Sequence, residues 1–81
     1  MRVDDLEGLQ NWLSRLGYLE STNSDLLENA IWCVENGNDY RAESSLRTLA
    51  SNLRSEGKSE AAKAVERLLF RIASNKKSDS I

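Results

Sequence analysis

Few residues in this chain could do chemistry, and the kinds that catalysis most often needs are missing. There is one cysteine, Cys33, and no histidine. Without histidine the commonest general base is absent, and so are Ser-His and Cys-His nucleophiles and most zinc sites. A lone cysteine cannot build a Cys-x-x-Cys site. Cys33 reads as a small core residue; the other reading is a redox-sensitive thiol, which has no activating neighbour in the sequence. Ser55-Glu56-Gly57-Lys58 and Ser74-Asn75-Lys76-Lys77 both match Ser-x-x-Lys, without the companion motifs that give that pattern meaning. Asp4 and Asp5 are adjacent carboxylates, but acid is also what the positive end of a helix favours. No glycine-rich phosphate loop is present. The expectation is a protein that is not an enzyme and uses no cofactor and no metal.

Binding chemistry is better represented. On a helical wheel Trp32 lies opposite the apolar stripe of its helix, beside Glu28, Asn29, Glu35 and Asn36. Either another element covers it, with Trp12 of the first helix able to do so, or it is an anchor for a partner. Phe70 lies off the inner face of the last helix. Lys63, Arg67 and Arg71 follow one another there at four-residue spacing. Like charges at that spacing repel by a few tenths of a kcal/mol. Such a basic stripe beside an aromatic suits an acidic protein surface or a phosphate backbone; the plainer reading is a solvated face. Trp32, Phe70, Lys63, Arg67 and Arg71 are therefore the expected partner-binding residues.

These residues are positioned by helices. The pattern predicts an all-α, compact antiparallel bundle of four helices over about 4–16, 25–35, 39–55 and 59–74. Leu6, Leu9, Leu13 and Leu16 form one face of the first helix. The second has Leu26, Leu27, Ala30, Ile31 and Val34, with Cys33 at the edge. Ala42, Leu46, Leu49, Ala50 and Leu53 line the third. Ala61, Ala62, Val65, Leu68, Leu69, Ile72 and Ala73 line the fourth. Gly17, Gly37 and Gly57 stand where helices would end, and proline is absent. Ser24 or Asp25, Asn38 or Asp39, and Ser59 are the expected caps. Short joints force antiparallel neighbours. Residues 1–74 read as one domain and 75–81 as a flexible tail or linker, with no internal repeat.

The 81 residues carry a net charge of −2, unevenly placed. Residues 1–39 hold two basic and eight acidic side chains, −6, and residues 40–81 hold nine basic and five acidic, +4. Either the acidic early helices pack beside the basic late ones, or the basic half docks on something acidic. The lone cysteine and the lack of a signal peptide point to a reducing, cytoplasmic setting. No apolar run approaches the ~20 residues of a membrane span, so no membrane partner is expected.

The stretch from Ala30 through Asn36-Gly37-Asn38-Asp39-Tyr40 leads to Leu46, Leu49 and Ala50. Arg54-Ser55-Glu56-Gly57-Lys58-Ser59-Glu60-Ala61-Ala62 and Leu68-Leu69 follow. This stretch, about Leu26 to Leu69, resembles the small helical domain that precedes the ATPase core in a group of bacterial AAA+ proteins. It is similar in style to microtubule-interacting-and-trafficking domains, which recruit helical peptides. In the family pattern the turn is Gly-Asp-x-x-x-Phe; here Asn38 stands between Gly37 and Asp39, and Tyr40 is near the place of the Phe. No Walker motif is present, so no ATPase activity is implied. The resemblance implies a partner-recruiting domain.

The sequence thus leads to a non-catalytic protein-interaction domain that binds a protein partner, with AAA+ recruitment as one form of it. The alternative is a free-standing small regulator or inhibitor, phage-type or antitoxin-like, that acts by protein binding. Self-association into a homo-oligomer is compatible with both. Nucleic-acid binding is less favoured: the balance is acidic and no helix-turn-helix with a basic recognition helix is evident.

Overall fold

Leucine and alanine at three- and four-residue spacing build four helices: α1 (Val3–Arg15), α2 (Ser21–Glu35), α3 (Asp39–Ser55) and α4 (Ser59–Asp79). The computed structural model describes the backbone of residues 3–79 and the side chains of residues 3–71 other than Ser21. No strand occurs among the described residues. The α-helical bundle expected from the periodicity is the observed fold.

Each joint is closed by the same device. Gly17, Gly37 and Gly57 take φ of +72°, +74° and +79°, the left-handed region where a side chain would be strained. The glycine N–H donates to the carbonyl three residues back, and the next N–H donates to the carbonyl five back. These pairs are Gly17 to Ser14 with Tyr18 to Leu13, Gly37 to Val34 with Asn38 to Cys33, and Gly57 to Arg54 with Lys58 to Leu53. This is the Schellman motif, and it satisfies carbonyls that the helix end leaves orphaned. The glycines are 20 residues apart, and several core positions recur at the same spacing, among them Leu6, Leu26 and Leu46, Ala30 and Ala50, and Ala42 and Ala62. The 20-residue period, where no internal repeat was expected, becomes evident once the three turns are seen to share one hydrogen-bond pattern. Beneath the turns sit Leu13, Cys33 and Leu53, each 0–1% exposed. Cys33 is therefore a core residue in the structural place of a leucine.

α2 packs on α3 and α3 on α4, while α1 closes the bundle against α2 and α4; among the described residues the backbones of the diagonal pairs α1–α3 and α2–α4 do not approach closely. The shared core comprises Leu6, Leu9 and Leu13 of α1, and Leu27, Ala30 and Cys33 of α2. Ala42, Leu46, Leu49, Ala50 and Leu53 of α3 and Ala61, Ala62, Val65 and Leu68 of α4 complete it. Alanines on α2, α3 and α4 let these backbones approach closely. The radius of gyration is 12.0 Å, the compactness expected of a folded chain of this length.

The structure departs from the sequence expectations at several helix ends. α2 begins at Ser21, four residues before the expected start, so neither Ser24 nor Asp25 caps it. Glu20 occupies the cap position without a side-chain bond, and its carbonyl accepts from Ser24 N–H at 2.8 Å. Of residues 18–24, expected to connect the first two helices, 21–24 are instead the first turn of α2 and 18–20 remain in the joint. Asn23 in that turn is 2% exposed. Its Nδ2 donates to the Tyr18 carbonyl and to Glu56 Oε2, both at 3.4 Å, and its Oδ1 accepts from Asn52 Nδ2 at 3.3 Å. The start of α2 is thereby tied to the end of α3. Asn38 caps α3 by accepting from Arg41 N–H at 3.2 Å, as one of the two expected caps. Ser59 is the first helical residue of α4, and the Lys58 carbonyl accepts from Ala62 N–H. Leu16, expected on the inner face, falls just past α1 and is 45% exposed. α4 continues to Asp79, five residues past its expected end. The side chains of Ile72 and Ala73, expected on its inner face, lie outside those described, and so do Ser80 and Ile81 altogether.

Candidate partner-binding site

α1 and α4 run antiparallel. Asp5 at the start of α1 meets Arg71 on α4, Oδ2 to Nη1 at 3.8 Å. Near the other end of α1, Trp12 stands beside Glu60, Lys63, Ala64 and Arg67, and these residues line an open groove between the two helices. Trp12 is 40% exposed. The next strip of surface, towards α3, is lined by Arg54, Lys63, Glu66, Arg67 and Phe70. Arg54 pairs with Glu66 across the α3–α4 seam. Lys63 and Arg67 belong to both strips and make no ion pair with any described residue. Phe70 is 74% exposed. The result is two cations flanked by two aromatics on one side of the bundle.

Lys63, Arg67, Phe70 and Arg71 are therefore brought together as the spacing on one helix requires. Arg71 differs from its neighbours because Asp5 partly balances it. Trp32 is not part of this surface. It lies on α2, which is diagonal to α4 in the bundle. Trp32 is 59% exposed. Trp12 lies over α4 and leaves Trp32 uncovered. The outer face of α2 around Trp32 carries Asp25, Glu28, Asn29, Glu35 and Asn36, all exposed. The sequence set thus divides between two faces, one basic on α4 and one acidic on α2.

Trp12 and Arg54 belong beside the basic surface and were not among the expected binding residues. Trp12 sits at the edge of the α1 stripe, but its neighbour depends on which helix α1 lies against. Arg54 reaches the surface from α3 through Glu66, a pairing between residues 12 apart in sequence.

A second polar cluster joins the α1–α2 and α3–α4 turns. Lys58 Nζ donates to Glu56 Oε1 at 2.7 Å and stands 4.7 Å from the centre of the Tyr18 ring. The hydrogen bond from Lys58, helped by Asn23, holds the Glu56 carboxyl below its ordinary range against partial desolvation. The same bond to Glu56 raises Lys58, with its charge and those of Glu20 and Tyr18 adding to the effect. The cluster binds two turns of the fold, and its polar groups already have partners. Among the described residues no group of His, Cys, Asp or Glu is arranged to hold a metal. No described helix is long and apolar enough to cross a membrane.

No family model matches this chain, and no curated protein or solved structure matches it.

Proposed function

We propose that this chain is a non-catalytic protein-interaction domain whose α1–α4 face takes an acidic partner segment with spaced apolar anchors. The observation that carries the reading is the pair Lys63 and Arg67, without ion-pair partners among the described residues, set between the exposed rings of Trp12 and Phe70. Cations flanked by aromatics combine charge attraction with apolar burial, and arginine and tryptophan dominate interface energetics. The seam between two antiparallel helices suits a partner helix or an extended tail. The resemblance of Leu26 to Leu69 to domains that precede AAA+ ATPase cores adds one specific form of this reading, recruitment of a client or adaptor to such a machine. A free-standing regulator would use the same face.

The test is selection of displayed 16-residue peptides on the full chain, with counter-selection on Arg67→Glu. The expected winners carry several Asp or Glu residues with apolar residues at helical spacing. Their titration should shift the amide signals of Trp12, Lys63, Arg67 and Phe70 and weaken at least ~10-fold in Arg67→Glu, as for a lost interfacial charge contact. Winners without acidic residues, or shifts centred elsewhere on the bundle, would reject this face as the site. Preferential, steeply salt-dependent binding of duplex DNA or RNA over acidic peptides would replace the reading with a nucleic-acid one.

A further inference from the structure

Charge segregation along the chain becomes charge segregation across the bundle. Of the ion pairs Arg47–Glu43, Arg54–Glu66, Lys58–Glu56 and Arg71–Asp5, only the last joins the acidic residues 1–39 to the basic residues 40–81. The excess of each sign is therefore left on outer surfaces. On α2 the exposed face holds Asp25, Glu28 and Glu35 around Trp32, and α2 contains no basic residue. None of those three carboxylates makes an ion pair with a described residue. On α4 the described exposed residues include Lys63, Arg67, Arg71 and Phe70, with Glu60 at one end and Glu66, which is paired with Arg54, at the edge.

The two faces are complementary in the sign of their excess charge and in carrying an exposed aromatic. Residues 25, 28, 29, 32 and 35 are exposed on α2, with Asn36 just past its end, and residues 60, 63, 66, 67, 70 and 71 on α4. Each is a ridge with an exposed aromatic, Trp32 at 59% and Phe70 at 74%. Because α2 and α4 are diagonal in the bundle, one molecule cannot bring its own two faces together.

We infer that the acidic, Trp32-bearing face of α2 docks on the basic, Phe70-bearing face of α4 of a second copy of this chain. The inference names a partner for the α4 face and so rests on the function proposed above. The contact is heterologous: each molecule keeps one unused acidic face and one unused basic face after a single docking. Assembly therefore continues beyond two chains instead of closing in a symmetric dimer. Trp32 over the Arg67 guanidinium supplies a cation–π contact, and Glu28 and Glu35 meet the remaining α4 cations. The assembly is a salt-sensitive, head-to-tail oligomer.

The test is sedimentation equilibrium of the full chain from micromolar to millimolar concentration, with circular dichroism of each variant to verify its helix content. The wild-type chain should exceed the mass of two chains at low salt and dissociate as salt is raised. Trp32→Ala and Arg67→Glu should each weaken association ~30-fold or more, the effect of removing an interface anchor. The decisive sample is their mixture. Trp32→Ala keeps an intact basic face and Arg67→Glu keeps an intact acidic face, so together they should form a two-chain complex that grows no further. A monomeric wild type at millimolar concentration and low salt, a wild type that stops at two chains, or a mixture that does not associate would each overturn the inference. If self-association fails while acidic peptides still bind at Arg67, only this inference falls; if both fail, the α4 face is not a binding surface.

Discussion

Asn23 makes the sharpest prediction about stability, because among the described residues it is the buried amide that ties separate elements together. It is 2% exposed and uses its amide in three hydrogen bonds, to the Tyr18 carbonyl, Glu56 and Asn52, at 3.3–3.4 Å. An intramolecular hydrogen bond contributes a net ~0.5–1.5 kcal/mol, and long ones belong at the lower end. Asn23→Ala is therefore expected to cost about 2 kcal/mol, from three bonds at roughly 0.7 kcal/mol each. In a domain of this size that lowers Tm by about 8–16 °C. Asn23→Asp should be worse than alanine. Its carboxylate would face Glu56 and the Tyr18 carbonyl, both acceptors, where the amide now donates. The assay is thermal and urea unfolding at neutral pH for Asn23→Ala, Asn23→Asp, Asn52→Ala and the Asn23→Ala/Asn52→Ala pair. The double-mutant cycle should show coupling of about 0.5–1 kcal/mol. A loss below ~0.5 kcal/mol in Asn23→Ala, an additive cycle, or an aspartate better tolerated than alanine would refute the reasoning.

Opposite effects are expected at two kinds of glycine. Gly8 is inside α1, exposed, with open space where a Cβ would go, so Gly8→Ala should stabilise by about 0.5–1 kcal/mol in urea unfolding. Gly57 has equally open space but φ of +79°, so Gly57→Ala should cost ~1–2 kcal/mol. The Glu56–Lys58 bond makes stability depend on pH at both extremes. Glu56 is lowered from 4.5, so its contribution is complete above pH 4.5 and is lost as pH falls through its lowered value. Lys58 is raised from 10.5, so its contribution is complete below pH 10.5 and is lost as pH rises through its raised value. Glu56→Gln should flatten the acid limb, and Lys58→Met the alkaline limb, of a Tm-against-pH curve. Trp32→Ala should change unfolding free energy by no more than ~0.5 kcal/mol, since the ring is 59% exposed. A loss of several kcal/mol would make Trp32 a core residue.

Fold class, helix number and nearly the whole core were legible in the sequence. Leucine and alanine periodicity selects which face of each helix avoids water, and that choice is local. Gly17, Gly37 and Gly57 likewise announced the helix ends, because only glycine takes the left-handed conformation without strain. Local pattern failed where a distant group decided the outcome. The polar run before Asp25 looked like a loop because nothing in it shows that Asn23 will find Asn52 and Glu56 on another helix. Leu16 fitted the α1 stripe, but the turn at Gly17 takes it out of the helix and into solvent. The members of the basic stripe on α4 follow from spacing alone. That Trp12 joins it and that Asp5 balances Arg71 depend on how α1 lies in the bundle, and that the Trp32 face stands apart from α4 depends on which helices are neighbours. Helical periodicity defines what each helix turns inward; which outward faces become neighbours is set by packing between helices, and only the tertiary structure contains it.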